Sequence, residues 1–69
     1  MNTLQSKKIT FTYDHVEVDW HFGNTFNVYF IDEIGNRDHR EVDCFSAMNI
    51  KTIDQAQEIS DQYIKDNYS

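Results

Sequence analysis

The chain has 69 residues, 39% of them hydrophobic, with five Phe, four Tyr and one Trp. That leaves room for one hydrophobic core and carries too many rings for a disordered segment, so a single domain over 1–69 is expected, with 1–6 flexible. Twelve Asp and Glu against six Lys and Arg give a formal charge of −6, which repels nucleic acid and anionic membrane surfaces and favours a basic partner.

Cys44 is the one cysteine, which excludes an intrachain disulfide and a four-cysteine zinc site and points to the cytoplasm. Residues 1–8 carry two lysines but no following apolar run of signal-peptide length. No stretch approaches the roughly twenty apolar residues of a membrane span.

From Lys8 the sequence alternates, with Ile9, Phe11 and Tyr13 on one parity and Thr10 and Thr12 on the other. The parity then jumps, and Val16, Val18, Trp20 and Phe22 alternate with Glu17, Asp19 and His21. A two-residue turn at Asp14 and His15 reconciles the two runs, pairing Tyr13 with Val16, Phe11 with Val18 and Ile9 with Trp20 on one apolar face. Gly23-Asn24 and Gly35-Asn36 mark two further hairpin loops. A three-residue loop over Gly23 to Thr25 keeps Phe26, Val28 and Phe30 on the face of Trp20, leaving Tyr29 and Ile31 opposite. The fourth strand, Arg40 to Phe45, places Val42 and Cys44 inward if Phe30 pairs with Val42.

Thr52-Ile53-Asp54-Gln55 has the form of a capping box and begins a helix of about sixteen residues, roughly 24 Å long. Ile53, Ala56, Ile59, Tyr63 and Ile64 form its apolar stripe; Asp54, Glu58, Asp61 and Lys65 lie outside. The expected fold is therefore α+β, a four-stranded antiparallel β-meander with one C-terminal α-helix packed on one face, in the order ββββα. Trp20 is read as the core's largest ring.

The same registers predict the uncovered face. Thr10, Asp19, Tyr29 and Asp43 form one row, Thr12, Glu17, Ile31 and Glu41 the next, and Lys8, His21, Asn27 and Phe45 a third. Four carboxylates around Tyr29 and Ile31 repel one another unless something offsets them. The candidate partner-binding set is thus Glu17, Asp19, Tyr29, Ile31, Glu41, Asp43 and Phe45, an aromatic and aliphatic centre with an acidic surround. The competing reading is a solvated sheet face whose charges serve solubility. The acidic helix side, with Asp54, Glu58, Asp61 and Asp66 against Lys65, is a second candidate surface.

Other chemistry has little support in the sequence. Asp19 and His21 project from one side of a strand, but His15, His39 and Cys44 are placed elsewhere, so no metal site and no cofactor are expected. Cys44, read as a core thiol, is not a nucleophile, and no phosphate-binding glycine loop or water-excluding cleft is visible, so no catalytic residue is assigned and the chain is read as a non-enzyme. In size, acidity and lack of catalytic motifs it is similar in type to small phage-encoded anti-defence proteins, including anti-CRISPR and anti-restriction proteins, a resemblance of composition and not of residues. It implies an inhibitor or adaptor whose acidic face engages a basic protein surface, such as one that holds nucleic acid, with no direct nucleic-acid or membrane binding. The alternatives are a structural or regulatory homodimer, against monomer or weak dimer in the first reading, and a small metal-responsive protein acting through His21 and Asp19.

Overall fold

The computed structural model describes residues 7–68, and the expected flexibility of 1–6 lies outside the described residues. Four strands, β1 (Ile9–Thr12), β2 (Val16–Trp20), β3 (Thr25–Ile31) and β4 (Arg37–Ser46), precede one helix, α1 (Ile53–Tyr68). The strands form one antiparallel sheet in the order β1-β2-β3-β4, the expected ββββα meander.

The first hairpin has the register that alternation demands. Ile9 pairs with Trp20 and Phe11 with Val18. The Tyr13 N–H donates to the Val16 carbonyl at 2.8 Å, closing the turn over Asp14 and His15. The second hairpin keeps the expected parity but is slipped by two residues, since Trp20, not Phe22, faces Phe26. The cause lies in the loop. Phe22 turns into the left-handed region at φ 68°, a conformation a bulky side chain rarely adopts, and its ring settles 4.6 Å from that of Trp20. The Trp20 indole N–H then donates to the Gly23 carbonyl at 2.9 Å, so the loop folds back over the core's edge.

The β4 register differs from the expected one by an odd number of residues, which exchanges the two faces. Phe26 pairs with Phe45, Asn27 with Cys44 and Val28 with Asp43, so Phe45 and Asp43 face the helix while Cys44 is exposed on the other side. Ring packing explains the choice. Phe45 stacks on Phe26 at 4.6 Å and on Tyr63 at 3.8 Å, which buries far more apolar surface than a thiol at that position could. Register shifts between Val28 and Tyr29 and between Tyr29 and Ile31 then return Glu41 to the outer face opposite Tyr29 and leave Val42 half out of the core, at 37% exposure.

The helix starts with a reciprocal cap. The Gln55 N–H donates to Thr52 Oγ1 at 3.1 Å, while Gln55 Oε1 accepts from the amides of Thr52 at 3.2 Å and Lys51 at 2.7 Å. Its buried residues are Ala56, Ser60 and Ile64, flanked by the half-buried Ile59, Tyr63 and Tyr68, so the inward stripe is rotated from the expected one and Ile53 is largely exposed. Together with Phe11, Val16, Val18, Trp20, Phe26 and Val28 these residues make the core.

Two hydroxyl-to-carboxylate clasps fix the helix across the sheet. Near β1, the Tyr13 hydroxyl lies 2.9 Å from Ser60 Oγ and 2.5 Å from Asp61 Oδ1. On β4 the roles reverse, and Asp43 Oδ2 accepts from Tyr63 at 2.6 Å and Tyr68 at 2.9 Å. Two β4 amides are also satisfied from within their own strand, that of Arg40 by Asp38 at 3.1 Å and that of Cys44 by Asp43 at 2.8 Å.

Candidate functional site

The outer sheet face holds five of the seven expected contact residues, Glu17, Asp19, Tyr29, Ile31 and Glu41, and is not the free acidic surface expected of it. Arg37, the first residue of β4, lies across it. Its guanidinium donates to Asp19 through two parallel bonds of 2.7 Å and through Nε to Glu17 at 2.8 Å, while its carbon stands 4.4 Å over the Tyr29 ring. Lys8 Nζ at 3.3 Å and Thr10 Oγ1 at 2.8 Å complete the shell around Asp19, which is 2% exposed although it faces away from the helix. Burial alone would raise the Asp19 pKa, but the hydrogen bonds from Arg37, Thr10 and Lys8 outweigh it and bring the carboxyl down to about 2. The same contacts, with that to Glu17, hold the Arg37 proton more tightly than usual against the opposing effect of burial. Glu41 accepts from Asn27 Nδ2 at 2.8 Å.

Asp43 and Phe45 belong to the other face. The two tyrosine hydroxyls on Asp43, chiefly Tyr63, and the Cys44 amide keep its carboxyl below the usual range, so it stabilises the helix and does not extend an acidic surround. Of the four carboxylates expected together, two are neutralised by Arg37 and Lys8 and one faces the helix. The residue missed in the sequence is Arg37. It follows Gly35-Asn36 directly, where it reads as loop, yet it is the cation that a row of crowded acids requires.

The described residues assemble no metal centre. Among the described residues no three His, Cys, Asp or Glu side chains converge, and Asp19, the expected companion of His21, already has Arg37, Lys8 and Thr10 as partners. No helix among the described residues is long and apolar enough to cross a membrane.

The helix side of the molecule carries two features with room for a partner. The first is the exposed flank of α1. Asp54, Glu58, Asp61 and Asp66 are all exposed, and with Lys65 as the helix's one cationic residue they leave −3 on this segment, half of the chain's formal charge. The second is a groove of about 690 Å³ between the C-terminal half of α1 and the turn end of the sheet. Val16 and Ile64 are its buried apolar residues, Tyr13, Phe30 and Tyr68 supply rings, and Asp14, His15, Asp61 and Lys65 are its charged and polar members. Phe30 is 46% exposed there and meets Tyr68 edge-on, with centroids 6.3 Å apart.

No family model, curated protein or solved structure matches the chain, so geometry and electrostatics alone bear on its function.

Proposed function

We propose that this chain is a non-enzymatic binding protein, an inhibitor or adaptor, that engages a basic surface of another protein, of the kind that holds nucleic acid, through the acidic flank of α1. The observation that supports this reading is the distribution of uncompensated charge. The sheet-face carboxylates Glu17 and Asp19 are tied to Arg37 and Lys8, whereas Asp54, Glu58 and Asp66 stand on an exposed helix face with a single lysine among them. A field of one sign on a rigid helix steers a basic partner and sets orientation more than it adds affinity. The similarity in size and acidity to small phage anti-defence proteins favours the inhibitor form of the reading.

The test uses the full chain as bait in lysate of its source cell at several salt concentrations. Capture of a basic protein that weakens with salt and is lost in the Asp54→Asn, Glu58→Gln, Asp66→Asn triple variant supports the reading; undiminished capture by that variant overturns it. All three residues are exposed, so the variant should keep a melting midpoint close to that of the wild type.

A further inference from the structure

We propose that the groove between α1 and the turn end of the sheet is an anchor site for one cationic side chain, an arginine or lysine, projecting from the partner protein. The inference deepens the basic-partner reading and rests on it.

The groove combines two kinds of surface that a long cationic side chain also combines. Arginine and lysine carry an apolar stem and a charged head, and they bind best where the stem meets hydrocarbon or ring faces and the head meets carboxylate. Here Val16 and Ile64 supply the hydrocarbon, and Phe30 and Tyr68 stand edge to face at 6.3 Å, leaving ring surface open to the groove. Cations are attracted to such ring faces. The carboxylates are Asp14 and Asp61. The Asp14 side chain is 90% exposed and lies 3.1 Å from His15, while Asp61 accepts from Tyr13 through Oδ1. An anionic or purely aliphatic occupant would leave these charges unused or opposed.

Lys65 also lines the groove and opposes an incoming cation, which gives the proposal a consequence of opposite sign. Neutralising it should tighten binding, whereas neutralising Asp14 should weaken it. A groove that merely accepts apolar groups would respond to neither.

The experiment titrates N-acetyl-arginine amide into the isotopically labelled chain, following the Ile64 methyl and the Phe30 and Tyr68 ring resonances. N-acetyl-citrulline amide, of the same shape without the charge, is the control. Saturable shifts at these reporters, at least about tenfold weaker for citrulline, are expected; Asp14→Asn should weaken arginine binding about threefold and Lys65→Gln strengthen it by a similar factor. Phe30→Leu, at a half-exposed position, keeps the fold and should remove most of the binding. Equal response to citrulline and arginine, or no shift at the groove reporters, overturns the proposal. The outcome is separable from that for the helix flank, because Asp54, Glu58 and Asp66 do not line the groove. Salt-sensitive capture with no arginine binding would remove the anchor alone, and arginine binding with capture indifferent to the helix variant would remove only the flank.

Discussion

The two faces of this sheet each hold an aspartate, buried on the outer face and half-buried beneath the helix, and they satisfy it by opposite means. On the outer face Asp19 is held by ions, the Arg37 guanidinium and the Lys8 ammonium, with Thr10 as the neutral contributor. On the helix face Asp43 is held by neutral donors, the hydroxyls of Tyr63 and Tyr68 and an amide of its own strand. The difference follows from what lies above each face. A solvated surface lets long cationic side chains lie flat with part of their charge still in water, whereas beneath a helix only a ring with a hydroxyl at its tip fills space and donates at once. Acids that look equivalent in sequence therefore do different work, Asp19 as one end of an ionic cluster and Asp43 as the acceptor of two ring hydroxyls.

The largest effect that could break this contrast belongs to the core it borders. Phe26→Ala, at a fully buried ring, should cost about 3–5 kcal/mol in denaturant unfolding, whereas Tyr29→Ala on the outer face should cost about 1 kcal/mol; equal costs would mean that the helix does not seal one face. Next comes the ionic aspartate. Arg37→Ala leaves Asp19 buried with its main partner gone and should cost about 3 kcal/mol, and Arg37→Lys should recover only part because one ammonium cannot span Asp19 and Glu17 in the same geometry. The Asp19 pKa is depressed in the folded state, so its stabilisation is complete above the ordinary carboxyl range and is lost as pH falls from 3.8 through about 2. Acid unfolding of Asp19→Asn should lack that component.

Smaller effects test the aspartate held by neutral donors. Tyr63→Phe and Tyr68→Phe should each cost about 1 kcal/mol and raise the Asp43 pKa, read from its carboxyl carbon in an NMR titration. Burial first, then the hydrogen bond to Asp43, pushes the Tyr68 hydroxyl up to about 12; burial and Asp61 do the same for Tyr13. Because these folded-state values are raised, the clasps stabilise the fold fully below pH 10 and fail as pH climbs through about 12, an alkaline loss that Tyr13→Phe and Tyr68→Phe should shrink. The smallest expected effect is at Cys44. It should react with a thiol reagent in the native protein and leave the melting midpoint nearly unchanged; protection until unfolding would place it in the core and reverse the β4 register.

Much of the fold was legible because large side chains repeat with one period. Ile9, Phe11, Val18 and Trp20 admit a single first-hairpin register, and Thr52 with Gln55 marks the helix start without ambiguity. The fourth strand was not legible, because Val42 and Cys44 on one parity compete with Phe45 on the other, and only the Tyr63 ring on the helix decides between them. Two register shifts then bring Glu41 back to the outer face, which no alternation pattern can convey. The candidate site suffered most. The face that reads as acidic is neutralised by an arginine lying outside the expected strand, and the groove forms from Tyr13, Phe30 and Tyr68, which are far apart in sequence and meet only when the helix is laid on the sheet.

At ten residues, β4 is the longest strand and ends the sheet, a shape that in other settings invites another chain to add itself as the next strand. With the Arg40 amide donating to the exposed Asp38 and the Cys44 amide to Asp43 on the helix side, the margin presents fewer vacant donors to any would-be fifth strand, and Asp38 adds a negative charge beside it. Fibril growth and strand exchange along this margin are thereby discouraged.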